Sequence, residues 1–480
     1  MPDGQSAPFE EAHYAPELRI GGAPHTVASR MDVVDPATAQ SFGSAPVTES
    51  DGLDAAVRAA AAVQLPWAVR AWSERAERVR AFADAVTGDI DVLAHLLSRE
   101  QGKPLAKSQA EVMGAGFFMK GFADLELKPE VLRDTDAQYV RAERRPIGVV
   151  GAITAWNYPV LLAAWKIAPA VLTGNAVIVK PAPTTPLSTL RLAQLADGIF
   201  PKGLVTVLTG DDRLGPWITS HQGIGKISFT GSIATGQAIM ANASATLKRL
   251  TLELGGNDAA IVMPDFSVSD AAEGLFWSAF SNCGQVCAAA KRIYVPDSLY
   301  DAVCAAFVEL AANVRVGPWD REGAEMGPLQ NPMQLAKVGD LVKRATAAGA
   351  RVIHEGSVPQ EGYFYPLTVL ADVTDDNPVN AEEQFGPVIA LSRYGDLEDA
   401  IARANADRHG LGASVWGEDV EAATGVALRL QAGSVWVNQH PSMGPEIPFG
   451  GVKHSGIGVE CGLRGLEEYT DIFVLNVKRS

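Results

Sequence analysis

Pro146-Ile147-Gly148-Val149-Val150-Gly151-Ala152-Ile153 opens the stretch on which the fold turns. An apolar strand over Ile147 to Ile153 is followed by a helical pattern over Val160 to Leu172 and a second apolar strand, Ala176 to Val179. The alternation continues through helix Leu187 to Ile199, strand Val205 to Leu208, helix Asp212 to His221 and strand Lys226 to Phe229. Helix Ala234 to Ala243 and strand Lys248 to Leu254 complete it. Strands this short and this continuously apolar are buried on both faces, and parallel strands need a crossover helix between them. The rhythm predicts an α/β fold with an open, mostly parallel sheet wrapped on both faces, a nucleotide-binding architecture.

Downstream, Gly255-Gly256 marks a lobe boundary where a hinge would tolerate unusual dihedrals. A second α/β series follows: strand Ala259 to Val262, helix Val268 to Ser281, strand Arg292 to Val295, helices Leu299 to Asn313 and Met333 to Ala348, and strands Ala413 to Trp416 and Ser434 to Val437. Upstream, helices rich in Ala, Arg and Glu are expected over Leu53 to Ala62 and Trp72 to Glu100, the latter stopped by Gly102 and Pro104. Another helix is expected over Lys107 to Phe122. Gln138 to Arg145 alternates apolar and polar residues and reads as the second half of a hairpin beginning near Val131. Ile472-Phe473-Val474-Leu475 forms an apolar terminal strand that needs a partner, and an unpaired edge invites association with another subunit.

A chain of 480 residues calls for two or three lobes, and 47% hydrophobic residues suffice to fill them. The net charge of −16 repels phosphate backbones and anionic membranes, so no nucleic-acid or membrane partner is expected. The longest apolar stretch, Leu161 to Thr173, is interrupted by Lys166 and Pro169 and falls short of the ~20 residues a membrane span requires. Met1 to Ile20 has no long apolar core, so it reads as a loosely held tail rather than a signal peptide. Four cysteines are too few for a disulfide scaffold of this size, which suits a cytoplasmic, reducing compartment.

Four segments carry chemistry. Phe229-Thr230-Gly231-Ser232 ends a strand and opens a helix, where Gly231 would admit a phosphate and Ser232 bond it; a structural turn fits as well. Gln237 stands where a Walker loop needs Lys, and Gly456-Ile457-Gly458 follows no strand. Asn282-Cys283-Gly284-Gln285-Val286-Cys287 places two thiols four residues apart, on one face if helical, with no further ligands for zinc. Each thiol is either an inert buried group or a reactive one. Glu253, closing an apolar strand before two glycines, reads as a partly buried base or as a salt-bridged structural carboxylate. Asn157, in Trp156-Asn157-Tyr158-Pro159, is either a turn residue or an amide aimed at a developing oxyanion.

Together with Val179-Lys180-Pro181-Ala182, Glu382-Glu383-Gln384-Phe385-Gly386-Pro387 and Pro448-Phe449-Gly450-Gly451, these segments resemble, in their order, the aldehyde dehydrogenase superfamily, from about Val33 to Thr470. The resemblance implies an NAD- or NADP-dependent, non-acylating enzyme, in which Cys287 attacks an aldehyde, Asn157 holds the oxyanion and Glu253 activates the water that hydrolyses a thioester. It implies two α/β lobes with open parallel sheets and a small β oligomerisation arm. The Rossmann-like cofactor lobe would take residues 1–124 and 146–255, the catalytic lobe 256–455, and the arm 125–145 and 456–480. By position, Lys180 would meet the adenosine ribose, Gly215 the adenine side, Gly231 and Ser232 the pyrophosphate, Glu383 the nicotinamide ribose, Phe385 the nicotinamide, and Trp156 would contribute its backbone. Tyr158, Leu162, Trp165, Phe280 and Phe449 would line an apolar substrate tunnel. The loop Asn438 to Glu446 departs from common relatives and would read the distal end of the substrate. A homodimer or homotetramer is implied, and no metal.

One further departure concerns the cofactor. Many NAD-preferring relatives carry a Glu three residues after the ribose-binding Lys, and this chain has Pro183. Losing that carboxylate removes the repulsion that excludes a 2′-phosphate, so NADP should be tolerated. Three competing readings remain. A coenzyme A-acylating relative would lack Glu253, a non-enzymatic relative would lack the triad of groups, and a thiol hydrolase would need a His beside Cys287, which no sequence spacing supplies.

Overall fold

The structure, a computed structural model, describes residues 14–479. The part of the expected N-terminal tail up to residue 13 lies outside the described residues. The stretch quoted first forms a six-stranded sheet in the order Gly456–Ile457, Arg249–Glu253, Lys226–Thr230, Val149–Ile153, Ala176–Lys180, Val205–Val207. All its pairings are parallel except that of Gly456–Ile457 with Arg249–Glu253. The helix Pro159–Leu172 exposes only Leu161 to any extent, because it is apolar all round and packs in the middle of the lobe. Lys166 lies on it with no access to solvent, so its charge must be met inside the protein.

A second, seven-stranded sheet runs Arg351–Glu355, Thr368–Ala371, Val388–Tyr394, Ala290–Pro296, Asp258–Val262, Gly412–Trp416, Ser434–Val437. Only Arg351–Glu355 is antiparallel to its neighbour. Four residues separate Glu253, at the carboxyl end of the first sheet, from Asp258, at the start of the second. The chain thereby brings the carboxyl edge of one sheet against the amino edge of the other.

A separate three-stranded antiparallel sheet joins Glu130–Asp134, Gln138–Pro146 and Thr470–Lys478. The terminal strand expected to be unpaired thus finds a partner in its own chain, in continuous register from Thr470↔Pro146 to Lys478↔Gln138. Its other edge stays open among the described residues. Gly456–Ile457, assigned from the sequence to this arm, instead extends the first sheet.

Three other expectations need correction. The single helix expected over Trp72 to Glu100 is two, Trp72–Gly88 and Ile90–Gln101. Gly88 is a poor helix former, and Asp89 turns its carboxylate to Arg191 in a two-pronged ion pair of 2.8 and 2.7 Å. Gly255 and Gly256 do not have positive φ, so they are no dihedral hinge. They are needed for space: a Cβ would lie 2.4 Å from Glu383 Oε2 at Gly255 and 2.3 Å from the Cys287 carbonyl at Gly256. Cys283 and Cys287 do not share a helix face either, because the helix Val268–Phe280 has ended before them.

Candidate active site

In the first sheet the strand order reverses between Val149–Ile153 and Lys226–Thr230, the switch point at which open α/β sheets bind ligands beyond their carboxyl ends. A cleft of about 160 Å³ opens there, lined by Trp156 and Asn157 after one strand and Thr230, Gly231 and Ser232 after the other. Glu253, Gly255, Cys287, Gln334, Lys337, Glu383 and Phe385 close it from the second lobe and the sheet's next strand.

Cys287 sits on an irregular loop. Asn282, Cys283 and Gly284 all take left-handed conformations, with φ of 50°, 58° and 67°. Only glycine fits at 284, because a Cβ there would lie 2.0 Å from the Gly386 carbonyl oxygen. Gln285 ties the turn together: its Nε2 donates to Asn282 O at 3.1 Å and its Oε1 accepts from Gln330 N at 2.9 Å. Burial, then the neighbouring Glu253, push the Cys287 thiol well above its ordinary pKa. The sulfur is therefore protonated at neutral pH and needs a base beside it.

That base is at hand. Glu253 is 2% exposed, and neither carboxyl oxygen meets a well-aligned donor. Burial, reinforced by Glu460, pushes its pKa up to about 8, with the Cys287 thiol and Lys166 pulling the other way. Glu460 and Lys166 form a buried ion pair behind it, and Ser228 Oγ lies 3.2 Å from Lys166 Nζ. A thiol and a carboxyl of raised affinity for protons, facing each other, can pass one proton between them.

Asn157 is 3% exposed. One hydrogen of its Nδ2 goes to Gln285 O at 3.1 Å, which leaves the second free for an oxyanion in the cleft. Its own carbonyl accepts from Lys103 Nζ at 2.9 Å and Asn282 Nδ2 at 3.1 Å.

The same cleft has the makings of a dinucleotide site. Ser232 caps the helix Ile233–Ala243, whose N-terminus faces the cleft as a partial positive charge. Glu383 accepts from Gly256 N at 3.1 Å, and its carboxylate fills the space that the missing Gly255 Cβ leaves. Trp156 and Phe385 meet edge to face at 5.1 Å. Gln334 Nε2 clamps the loop below them, donating to Gln384 O at 2.9 Å and Phe385 O at 3.0 Å. Gln334 and Lys337 carried no local signal in the sequence. Lys180 lies off this cleft, at the end of the adjacent strand, 6% exposed, with a pKa lowered by burial. Asp212 and Asp211 are the charges acting on it, and Asp211 is held by Arg213 at 2.9 Å. Gly215 begins the next helix, with open space where a Cβ would be.

The residues expected around the substrate are scattered. Tyr158 lines a second cavity of about 470 Å³ on the far side of the Asn157 loop, with Leu161, Trp277, Ser281, Asn282 and Cys283. Leu162 and Trp165, one and four residues on from Leu161, face inward instead. Trp165 packs against Phe118 and Phe449 at 4.9 and 6.2 Å. Phe280 is wholly buried against Phe276 at 4.7 Å, so its neighbours Trp277 and Ser281 line the cavity in its place. Phe449 borders a third cavity of about 370 Å³ beneath the loop Asn438 to Glu446. That loop contributes His440, whose Nε2 donates to Ala288 O at 3.1 Å and lies 3.4 Å from Asp258 Oδ2. A histidine therefore does approach the Cys287 loop, but it bonds the backbone next door. Among the described residues no group of three or more His, Cys, Asp or Glu could hold a metal ion.

A thiol, a buried carboxyl and an amide at the switch point of an α/β sheet are an arrangement that can serve nucleophilic oxidoreduction or acyl transfer. The chain matches the aldehyde dehydrogenase family over residues 24–474, and it belongs to that family. It is 36% identical over 450 residues to the aldehyde dehydrogenase LUC3 of Fusarium sp, covering 93% of this chain and 95% of that one. The aldehyde dehydrogenase of Bacillus cereus in its NAD+ complex superposes with a TM-score of 0.94 at 32% identity, over 97% of this chain and 96% of that one. An E. coli NADP-dependent enzyme gives the same TM-score at 34% identity, over 97% and 98% of the two chains. The protein is thus an oxidoreductase of the aldehyde dehydrogenase class. Among the described residues no helix is long and apolar enough to cross a membrane.

Proposed function

We propose that this enzyme oxidises an aldehyde to a carboxylic acid through a covalent intermediate on Cys287, and that water releases the product. The observation that carries the reading is the convergence of Cys287, Glu253 and Asn157 on one cleft. The sulfur adds to the carbonyl carbon as its proton passes to Glu253, and the carbonyl electron pair moves onto oxygen. Asn157 Nδ2 and the backbone N–H of Cys287 hold that oxygen, each donor being worth about 2.7–4 kcal/mol. NAD or NADP bound in the cleft would supply the acceptor for the hydride lost from the carbon as the oxygen's electron pair re-forms the carbonyl of a thioester. Once Glu253 has released the thiol proton to solvent, its carboxylate takes a proton from water, whose oxygen attacks the thioester carbon and expels the sulfur as thiolate. Glu383 would hold the nicotinamide ribose, Ser232 and Gly231 the pyrophosphate, Lys180 and Gly215 the adenosine end, and Trp156 and Phe385 would flank the ring. The cavity beside Tyr158, apolar at Leu161, Trp277 and Met326 and polar at Lys103, Lys107 and Glu111, offers an aldehyde more room than the buried Leu162, Trp165 and Phe280 do. Four free thiols support a cytoplasmic setting.

An aldehyde panel followed at the reduced-cofactor absorbance, run with each cofactor and with or without coenzyme A, tests this. Turnover independent of coenzyme A is expected, as Glu253 favours water. With Pro183 in place of the ribose-binding Glu, kcat/KM for NADP should lie within about a thousandfold of that for NAD, since a single lost repulsion is worth a few kcal/mol. A strict need for coenzyme A, or a larger NAD preference, overturns the respective part.

We also propose a homodimer or homotetramer built through the arm. The strand Thr470–Lys478 keeps one edge open and exposes Ile472, Val474 and Val477, and the hairpin exposes Val131 and Leu132. Such an edge is a template for pairing. Sedimentation should show twice or four times the 50.7 kDa chain mass, and a monomer at micromolar concentration would refute it.

A further inference from the structure

The helix Pro159–Leu172 starts two residues after Asn157, and its N-cap residue, Tyr158, supplies no capping bond of its own. The cap comes from another helix. Glu111, on Leu105–Asp124, accepts at Oε1 from Val160 N at 3.0 Å and Leu161 N at 3.2 Å. Its other oxygen pairs with Lys103 Nζ. That ammonium lies 4.0 Å from the centre of the Tyr158 ring and donates to the Asn157 carbonyl at 2.9 Å. Both side chains are almost wholly sealed from solvent, 2% and 0% exposed.

A buried ion pair is weak evidence for stability, because desolvation offsets most of its attraction. What this pair does have is direction. Glu111 holds the peptide N–H groups just after the Asn157 turn, and Lys103 holds the carbonyl within it. The same carbonyl takes Asn282 Nδ2 at 3.1 Å, and Asn282 belongs to the loop that carries Cys287. With its carbonyl fixed on the side of Lys103 and Asn282, Asn157 has only its side-chain amide to present to the cleft.

We propose that Lys103 and Glu111 are a positioning pair for the reaction, setting the Asn157 amide where the oxyanion develops; this rests on the role given to Asn157 above. Neither lines the Cys287 cleft, though both border the cavity beside Tyr158, so a positioning role shows in kcat through Asn157 whereas a direct substrate contact would show in the aldehyde KM. Without Lys103 the Asn157 carbonyl keeps Asn282 alone and the peptide can shift toward it, and a displacement near 1 Å at a catalytic donor costs on the order of 10²-fold in rate.

A double-mutant cycle on the full-length enzyme tests this, with kcat measured at saturating aldehyde and cofactor. Asn157→Ala should lower kcat by about 10²–10³-fold, the usual loss for one oxyanion donor. Lys103→Met should lower it by roughly 10–100-fold with aldehyde and cofactor KM within about threefold of wild type. In the double variant the Lys103→Met loss should shrink to about twofold or less, because a group acting through Asn157 has nothing left to position. Losses that multiply in full, or a Lys103→Met enzyme with wild-type kcat, overturn the positioning role alone. An Asn157→Ala enzyme with wild-type kcat overturns the oxyanion reading and this one with it. Should Lys103→Met not fold, Glu111→Gln serves in the same cycle: it keeps an acceptor for Val160 and Leu161 but weakens the hold on Lys103. Its expected loss of roughly 3–10-fold must likewise vanish beside Asn157→Ala, and persistence there is decisive against the proposal.

Discussion

Replacing Cys287 by Ala should reduce aldehyde oxidation by roughly 10⁴-fold or more while leaving dinucleotide binding within about threefold of wild type, the pattern of a lost nucleophile rather than a lost fold. The sulfur is the one thiol in a cleft whose other polar side chains are the carboxyls of Glu253 and Glu383, the amides of Asn157 and Gln334, the hydroxyls of Thr230 and Ser232, and the Lys337 amine. Removing it from a partly open wall leaves a void of one atom, a destabilisation of about 1 kcal/mol at most. Cofactor titration by tryptophan fluorescence, with Trp156 in the cleft, measures the retained binding. Cys283→Ala is the matching control. Its thiol is 3% exposed, its pKa is pushed up to about 12 by burial, and it faces the second cavity, so turnover should stay within about threefold. If Cys283→Ala proved the inactive variant and Cys287→Ala retained turnover, the nucleophile would have been misassigned.

The alternation from Val149 to Glu253 was legible because each element is short, apolar and punctuated, and the crossover rule leaves few ways to arrange such elements. Glu253 was half legible: a carboxylate ending an apolar strand before two glycines read equally as a base and as a salt-bridged structural group, and the structure buries it with neither oxygen meeting a well-aligned donor. The break at Asp89 was not legible, since its partner Arg191 lies 102 residues away and no local pattern reports it. Phe280 was misplaced by a helix's arithmetic. Successive residues turn by about 100°, so an inward Phe280 puts Trp277 and Ser281 toward the cavity, and only the helix's orientation decides which. Gln334, Lys103 and His440 escaped for a different reason. Each works by bonding a main-chain carbonyl from a distant segment, and a carbonyl has no side-chain signature to match. The left-handed run Asn282-Cys283-Gly284 hid behind a helical-looking sequence, and the need for glycine at 284 comes from the distant Gly386 backbone pressed against it.

Glu253→Gln should separate the two halves of the reaction. Acid–base catalysis by one positioned group is worth about 10²–10⁴-fold, so steady-state kcat should fall by that range. Mixing enzyme, cofactor and aldehyde should still yield close to one equivalent of reduced cofactor per site before stalling at hydrolysis. Because Glu253 also takes the Cys287 proton, that first turnover should be slower than in wild type, and rapid-mixing absorbance reads both amplitude and rate. The pH dependence has a definite sign. The working form is the carboxylate, and its pKa of about 8 means that wild-type kcat rises with pH below 8 and levels above it. The Gln variant should lose that limb, and an unchanged rise in it would remove Glu253 from the mechanism. Stability should move in the opposite direction. A carboxyl whose pKa is raised on folding favours the folded state while it is protonated, and the advantage drains away as pH climbs from 4.5 through about 8. Glutamine cannot ionise, so the variant should melt above wild type, by a margin that widens up to about pH 8. An enzyme that becomes more stable on losing its base shows the base held at a cost in stability that its chemistry requires. A variant no more stable than wild type at pH 9 would mean that Glu253 reaches solvent or a cation, and the raised proton affinity on which its role depends would be gone.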